Sequence, residues 1–256
     1  MPALLFFGGL RQNGHMLVLF TDFSLEDPYV GQMKAVLHAH APQIPVVDLL
    51  HRVPDYDACA GAHLLHALAS AFPLGSVFLC VVDAGVGGSR VAVVIEADGK
   101  WYVGPDNGLL SVVAARAQQV TSWRIAWRPE VLSASFHGRD LFAPVAAKAA
   151  MGDLPQGWLV PIEGLEHRFS ADDLFQVIYI DHYGNAMTGI RGASLDCSAR
   201  ISVAGREFAY ARVFSEVSRG DAFWYVNSCG LVEIAINCGH AAGSLGLLIG
   251  HSVTIE

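Results

Sequence analysis

Five short apolar runs with few polar interruptions constrain the possible folds of this chain more than any other feature. Helical patterns lie between or after them. The runs occupy residues 16–20, 45–50, 76–83, 91–97 and 101–105, and the helical patterns occupy residues 29–41, 56–72, 107–117 and 141–152. Strands that are apolar on both faces and alternate with helices are typical of a parallel sheet covered on both sides. The sequence therefore predicts an α/β N-terminal domain with a mostly parallel central sheet over residues 16–155.

The pattern changes after residue 155. Residues 156–174 are rich in proline, glycine and charged side chains and show no clear period, so we interpret them as a connector. Segments typical of strands follow, separated by turns that contain glycine, at residues 174–181, 199–211, 221–228, 232–238 and 252–256. These segments predict a smaller, all-β C-terminal domain over residues 175–256.

Composition limits the class of protein. The 256 residues are 53% hydrophobic, which is enough for a larger and a smaller domain. The net charge of -8 argues against a nucleic-acid partner, which would require a basic face. The five cysteines are odd in number and form no C-x-x-C pair, so we expect a reduced, cytoplasmic chain.

The N-terminal residues make a poor match to a secretory signal peptide. Residues 1–15 contain a short apolar patch without a preceding cationic segment, and no apolar run reaches membrane-spanning length. We therefore expect no membrane partner. Because Met16 opens the first convincing strand, we interpret residues 1–15 as a tag or an upstream start.

Acidic residues lie at or near the ends of four predicted strands: Asp22, Asp48, Asp83 and Asp106. In open α/β sheets, ligands bind beyond the carboxyl ends of the strands. One such acid is commonly a helix cap, whereas several together indicate a polar site along one edge of the sheet.

The segment VVDAGVGGSR, residues 81–90, places Asp83 seven residues before Arg90 around a glycine-rich turn. The spacing alone fits two interpretations: an aspartate that caps a turn beside a surface arginine, or a binding loop whose glycines let a ligand approach the backbone. The turn has neither the Gly-Lys-Ser/Thr of a P-loop nor the G-x-G-x-x-G spacing.

Three further segments carry candidate residues. Asp27 is placed to cap a helix that begins at Pro28, whereas Asp22 is better placed to accept hydrogen bonds from a ligand diol. His137 lies on a loop beside glycine and is a candidate base only where a charged partner meets it. The segment IDHYGNAMT, residues 181–189, fits either a hairpin with Gly184 and Asn185 at its tip or a binding turn.

Taken together, seven segments resemble, in order, the S-adenosylmethionine (SAM) hydroxide adenosyltransferases, which are SAM hydrolases related to the fluorinase and the chlorinase. The likeness runs from about residue 16 to the end of the chain. The segments are TDFSLEDPYVGQMKAVL, VVDLLHRVPDYD, VFLCVVDAGVGGSR, YVGPDNGLL, SFHGRDLFAPVAA, IDHYGNAMT and NSCGLVEIAINCGHAA.

The resemblance implies that SAM and water are converted into adenosine and methionine without a metal or redox cofactor. It also implies a homotrimer, a C-terminal β-barrel, and an active site between the N-terminal domain of one subunit and the C-terminal domain of its neighbour. The catalytic residues that it implies are Asp83, Arg90 and His137.

The resemblance also implies residues that bind the substrate. Asp22 matches the residue that holds the ribose hydroxyls, with Asp27 in the same loop and Tyr56 as a flanking aromatic ring. In the C-terminal domain, the matching residues are Asn185 for adenine, Tyr183 as an aromatic wall, Asp181 for the methionine ammonium group, and Ser228 and Glu233 in the segment that closes over the ligand.

The chain departs from the family pattern at Ala84, Gly88 and Ser24, where proline, threonine and glycine are usual. The first two changes predict a looser loop around Arg90. Three other functions remain open from the sequence: a non-catalytic module that binds SAM or adenosine, a halogenase-like transferase, and a metal-dependent hydrolase that uses Asp22, Asp48 and His51.

Overall fold

The computed structural model describes residues 16–256, and these divide into two units. Within the described residues, the first unit contains residues 16–56 and 72–168, and the second contains residues 57–71 and 169–256. The interpretation of residues 1–15 lies outside the described residues. No helix in the described part of the chain is both long and apolar enough to cross a bilayer.

The first unit is built on a seven-stranded sheet with the strand order β2-β1-β3-β5-β4-β6-β7 in the described residues. The strands are β1 (Leu17–Thr21), β2 (Val46–Leu50), β3 (Val77–Val81), β4 (Ala92–Ala97), β5 (Lys100–Pro105), β6 (Val120–Ile125) and β7 (Leu159–Ile162). Strands β1, β2, β3, β5 and β6 point in one direction, and β4 and β7 point in the other. The predicted large, mostly parallel sheet is therefore confirmed.

Helices cover this sheet and explain why its central strands are apolar on both faces. The α-helices of the described chain are α1 (Pro28–His40), α2 (Ala58–Ala69), α3 (Ser111–Arg116), α4 (Ala143–Met151) and α5 (Ala241–Leu245). Helix α4, which is alanine-rich, packs against β1, β3 and α1. It ends at Gly152, whose φ of 66° is the left-handed conformation that closes helices most readily. Because Leu79 of β3 is fully buried, its replacement by alanine would cost about 2–5 kcal/mol.

The strand register places several loop residues at one edge of the sheet. Thr21 of β1 pairs with Val81 of β3, and Phe20 pairs with Leu50 of β2. Strand β5 runs parallel to β3 and ends at Pro105. The residues that follow these four strands therefore leave the sheet on the same side, as the positions of the acidic residues predict.

Strand β7 lies inside the segment that we interpreted as a connector. It pairs only with β6 at the margin of the sheet, and its residues are partly exposed. A strand in this position needs no continuous apolar run, and Pro161 gives the segment the composition of a loop.

The second unit contains two antiparallel sheets in the described residues. The four-stranded sheet has the order β12-β13-β9-β8, and the three-stranded sheet has the order β11-β10-β14. The strands are β8 (Leu174–Ile180), β9 (Ala186–Arg191), β10 (Ile201–Val203), β11 (Arg206–Phe208), β12 (Ala222–Val226), β13 (Leu231–Ile236) and β14 (Val253–Ile255). Helix α2 contacts β8 and β9 and belongs to this unit.

The barrel that the resemblance implied for the C-terminal domain is not confirmed, because the described strands form no closed sheet. Within the described residues, the sheets are linked by isolated bridges, one between Gln176 and Ser252 and the other between Tyr210 and Trp224, and by no ladder of paired strands. Strands β10, β11 and β14 have three residues each, and β10 pairs with the other two to form the smaller sheet. The unit is therefore a pair of open antiparallel sheets.

Candidate active site

The loop after β3 returns Arg90 to Asp83. Two tight turns bend the chain: the Val86 amide donates to the Asp83 carbonyl at 3.3 Å, and the Gly88 amide donates to the Gly85 carbonyl at 3.0 Å. Arg90 Nε then donates to Asp83 Oδ1 at 2.8 Å, and Nη2 donates to Oδ2. The side chains are only 9% and 4% exposed. Such a two-pronged, buried pair fixes the guanidinium in one orientation.

Gly87 lets this loop pack closely against a neighbouring segment. Its φ of 79° is a conformation that favours glycine, and a Cβ at this position would lie 2.4 Å from the Ala134 carbonyl oxygen. The loop is therefore held by backbone packing and by the ion pair, although it lacks the proline and threonine that are usual in the family pattern.

His137 completes a cluster with these two residues. Its Nδ1 lies 3.1 Å from Arg90 Nη2, and it immediately precedes a π-helical turn (Gly138–Phe142), a feature that is frequent at functional sites. The Phe142 ring lies under the guanidinium, with 5.2 Å between Arg90 Cζ and the ring centroid. Burial lowers the pKa of His137, and the positive charge of Arg90 lowers it further. The structure thus brings the three predicted catalytic side chains together.

Asp22 lies in the loop after β1. The Tyr56 amide donates to its Oδ2 at 3.3 Å. Burial raises the pKa of Asp22, and the carboxylates of Asp55 and Asp83 raise it further. Tyr56 has a φ of 62°, which is strained for a residue other than glycine, and its ring is exposed. The carboxylate of Asp22 is therefore close enough to that of Asp83 for the two charges to interact.

Asp27 occupies the N-cap position of α1, with Pro28 as the first helical residue, as the sequence predicts. Its side chain nevertheless makes no capping hydrogen bond, and the residue is exposed. Its carboxylate is therefore available to a ligand.

The residues of the metal-dependent alternative have other partners. Asp48 accepts hydrogen bonds from Lys34 Nζ at 2.9 Å and from His51 Nε2 at 3.1 Å. His51 Nδ1 lies 2.8 Å from Thr21 Oγ1. Asp22 forms no group with Asp48 and His51 that has the geometry of a metal site.

Asp106 belongs to the one group of three potential metal ligands in the described residues, together with Glu166 and His167. Asp106 is buried, and its two carboxylate oxygens accept the backbone amides of Glu166 at 2.9 Å and His167 at 3.3 Å. These bonds assign Asp106 the structural role of anchoring the segment around residue 166.

In the second unit, β8 and β9 form a hairpin, as one interpretation of residues 181–189 predicts. Asp181 organises its loop: Oδ1 accepts the Asn185 amide at 2.8 Å, and Oδ2 accepts Asn185 Nδ2 at 3.1 Å. The loop also borders a cleft of about 560 Å³. The cleft is lined by Asp181, Tyr183, Asn185, Phe214, Tyr225, Ile236, Cys238 and Gly239. The hairpin interpretation is therefore confirmed, and the turn of this hairpin borders the cleft.

Glu233 lies behind this cleft rather than on its wall. It is buried on β13, where Oε2 accepts Asn227 Nδ2 at 2.7 Å and Oε1 accepts the hydroxyl of Tyr225. Burial raises the pKa of Glu233, although these two hydrogen bonds act in the opposite direction. Ser228 is exposed in the turn between β12 and β13 and is not among the described residues that line the cleft.

Family models match almost all of the described chain. The model described as the SAM hydroxide adenosyltransferase N-terminal domain matches residues 17–157, and the model of the corresponding C-terminal domain matches residues 175–254. The chain belongs to the SAM hydroxide adenosyltransferase family. The resemblance of the seven sequence segments is therefore confirmed.

Individual members of the family and related proteins are similar over nearly their whole length. A protein of Thermus thermophilus named (R)-S-adenosyl-L-methionine hydrolase is 40% identical, with 92% of this chain and 97% of that protein covered. A fluorinase of Nocardia brasiliensis is 23% identical, with 94% and 96% covered. The crystal structure of an uncharacterised conserved protein from Thermotoga maritima has a TM-score of 0.85 and 34% identity, with 94% and 99% covered.

The structure adds two aromatic residues to the cleft residues that the family resemblance implied. Phe214 and Tyr225 line the cleft, and their rings pack together with a centroid separation of 5.3 Å. In the sequence both lie among aromatic residues that are equally typical of a strand core. Tyr225 is less buried than its neighbours Phe223 and Trp224 on β12, and no pattern in the sequence distinguishes it from them.

Proposed function

We propose that this protein hydrolyses SAM to adenosine and L-methionine. The proposal is supported by membership of the family and by relatives named (R)-S-adenosyl-L-methionine hydrolase over most of the chain. The observation that carries it is the cluster of Asp83, Arg90 and His137 beyond the carboxyl end of β3.

The chemistry of SAM requires an activated nucleophile and little else. The oxygen of water attacks the ribose 5′ carbon, the carbon–sulfur bond breaks, and its electron pair remains on the sulfur of methionine. The sulfonium leaves as a neutral thioether, so no acid is needed on that side. The water loses one proton to a base. Placement of the water in line with the breaking bond lowers the activation barrier by several kcal/mol. In favourable cases the reduction is roughly 7 kcal/mol or more.

The hydrogen bonds of the cluster distinguish the roles of its members. Arg90 has only donors, so His137 Nδ1 must accept from it, which places the proton of the neutral imidazole on Nε2. His137 is thus a donor that orients the water. Asp83 is the remaining base, since each of its oxygens keeps an acceptor site beside the bond from Arg90. The guanidinium stabilises the developing hydroxide.

A carboxylate at this position also opposes the halogenase alternative. Chloride or fluoride beside Asp83 would meet a buried negative charge, whereas neutral water does not. The cluster therefore favours hydrolysis over halide transfer.

The remaining site residues are proposed to hold the substrate. Asp22 accepts the ribose hydroxyls, Asp27 and Tyr56 complete that side, and Asn185, Tyr183 and Asp181 contact adenine and the methionine ammonium group from the cleft. We assign Glu233 to the support of the cleft through Tyr225, and we assign Ser228 to the segment that closes over the ligand.

We further propose a homotrimer in the cytoplasm, with domains at residues 16–155 and 175–256 and a connector at 156–174. The assembly is the one that the resemblance implies, with each active site shared by two subunits. All five cysteines lie within the described residues and none is paired in a disulfide, which suits a reducing compartment. Sedimentation equilibrium tests the assembly, and a monomer at working concentration that hydrolyses SAM at full rate would refute it.

The decisive experiment is incubation of the protein with SAM in water enriched in ¹⁸O. Hydrolysis by attack on the 5′ carbon yields adenosine with the label on its 5′ oxygen, in equal amounts with methionine. Bound but unchanged SAM would instead identify a binding module, and a 5′-halogenated product in added chloride or fluoride would identify a transferase. Loss of turnover on treatment with EDTA would support the metal-dependent alternative.

The Asp83→Ala variant tests whether the turnover seen in this experiment depends on the proposed base. We expect it to bind SAM in calorimetry and to lose turnover by about 10²–10⁴-fold, which is the usual contribution of one base. Full turnover in this variant would overturn the assigned role of Asp83.

A further inference from the structure

A continuous series of hydrogen bonds runs from the surface of the first unit to the loop that carries Asp22. Lys34 Nζ donates to Asp48 Oδ2 at 2.9 Å, and His51 Nε2 lies 3.1 Å from Asp48 Oδ1. On the other side of the ring, His51 Nδ1 lies 2.8 Å from Thr21 Oγ1. Thr21 Oγ1 then accepts the Phe23 amide at 3.2 Å. His51 and Thr21 are both buried.

When the imidazole of His51 is neutral, the donors and acceptors of these side chains fix the direction of each hydrogen bond. The carboxylate of Asp48 only accepts, so His51 Nε2 donates to it. In the neutral imidazole, Nδ1 is then an acceptor and receives a hydrogen bond from the Thr21 hydroxyl. The Thr21 oxygen in turn accepts from the Phe23 amide. Because the Thr21 hydroxyl donates to Nδ1, removal of the imidazole acceptor leaves a buried hydroxyl without an acceptor.

The series fixes the backbone on both sides of Asp22. Thr21 precedes that residue and Phe23 follows it, and the side chain of Thr21 holds the two together. The same loop is tied to residues after β2 by backbone bonds: Ser24 N donates to the His51 carbonyl at 2.6 Å, and Val53 N donates to the Thr21 carbonyl at 3.1 Å.

Ser24 has a φ of 61°, a conformation that costs about 1–2 kcal/mol for a residue other than glycine. The conformation of this loop therefore depends on hydrogen bonds to residues outside it. Two of these are the backbone bonds after β2, and the third is the side-chain bond between Thr21 and the imidazole of His51.

We propose that His51 is a positioning residue that fixes Asp22 for recognition of the ribose hydroxyls. The inference rests on the proposed function, because it takes Asp22 as the acceptor for the diol. His51 is not a catalytic residue, since it is buried and both of its ring nitrogens are engaged, by Thr21 and by Asp48. It acts on the substrate only through the loop between β1 and α1.

The test is the ratio of dissociation constants for adenosine and 2′-deoxyadenosine, measured by calorimetry. A hydrogen bond to a charged group contributes about 1.5–3 kcal/mol, so the wild type should prefer adenosine by about 10–100-fold. His51→Gln can reach Asp48 but cannot accept from Thr21, and we expect its preference to fall to less than about threefold. His51→Asn retains an acceptor at the Nδ1 position and should keep most of the preference. His40→Gln, an exposed histidine of α1, is the control and should match the wild type.

Thr21→Val provides the same test without touching the imidazole, because it removes the hydroxyl and preserves the shape of the side chain. We expect it to lose the preference as His51→Gln does, and this result holds even where His51→Gln fails to fold. A general loosening of the structure would weaken binding of both nucleosides equally, so the ratio separates positioning from stability.

Three results overturn parts of this reasoning separately. A preserved preference in Thr21→Val, or in folded His51→Gln, overturns the role of His51 alone. A wild type that binds both nucleosides equally overturns the role of Asp22 and with it the inference. A wild type that shows the preference but forms no adenosine from SAM leaves the positioning role in place and refutes the proposed hydrolysis.

Discussion

Removal of the charge on Asp83 should affect stability and turnover in ways that can be separated. Its carboxylate and the Arg90 guanidinium are 4% and 9% exposed and are joined by two hydrogen bonds. In Asp83→Asn the guanidinium is left buried without a counter-charge, which costs about 3–5 kcal/mol. Arg90→Gln orphans the carboxylate and should cost a similar amount.

The double variant Asp83→Asn/Arg90→Gln orphans neither charge. We therefore expect it to be more stable than the sum of the single changes predicts, with a coupling of about 2–3 kcal/mol between the two sites. Turnover should not recover with stability, because the base and the cation are both gone. All three variants should hydrolyse SAM at least about 10²-fold more slowly than the wild type.

Urea denaturation and adenosine release are the two assays. Asp153→Asn is the control, since its partner Lys148 lies 2.8 Å away but the aspartate is 72% exposed. That change should cost less than about 1 kcal/mol and leave turnover unaltered. Turnover of the double variant within tenfold of the wild type, a difference in activation free energy on the order of 1.4 kcal/mol, would refute the assigned roles. A single variant that is no less stable than the control would refute the cost of an unpaired buried charge.

Three further changes test other parts of the site. Burial and the charge of Arg90 lower the pKa of His137 from 6.5, so kcat/KM should stay level down through pH 6.5 and fall only at lower pH, as protonation removes the Nδ1 acceptor; a fall centred at or above pH 6.5 contradicts this. Gly87→Ala should lower turnover at least about tenfold and lower the free energy of unfolding by more than about 1 kcal/mol, because its Cβ would lie 2.4 Å from the Ala134 carbonyl oxygen. Turnover and a urea midpoint equal to those of the wild type would show that the loop can shift to accommodate the methyl group. Ser24→Gly should relieve a φ of 61° and raise the free energy of unfolding by about 1 kcal/mol, and an unchanged denaturation midpoint would argue against strain there.

Local patterns predict much of the first unit because its central strands are buried on both faces. Strands β1 to β5 and helix α1 match apolar runs and a helical period within one or two residues at each end. Strands β6 and β7 lie towards the margin of the sheet, where exposed side chains interrupt the apolar pattern. The barrel was an expectation from resemblance, and residue patterns carry no information about whether the edges of a sheet meet.

The candidate site was predictable as a set of residues but not as a geometry. Asp83 and Arg90 are close in sequence, and their spacing alone left a capped turn and a binding loop equally open. His137 lies 47 residues after Arg90, and only the fold brings its Nδ1 to 3.1 Å from the guanidinium. Sequence reasoning treated His51 as a potential metal ligand, because the hydrogen bond on which its proposed positioning role rests joins it to Thr21, 30 positions away in the chain.

The discontinuity of the second unit has a consequence for how the protein is made. Helix α2, residues 58–69, belongs with strands that begin at residue 174, roughly one hundred residues later. On a ribosome that adds about 5–20 residues per second, the helix must wait several seconds or more before its partners emerge. A C-terminal fragment that begins between the two family-model matches would lack this helix. The second unit can therefore be completed only when residues from both halves of the chain are present.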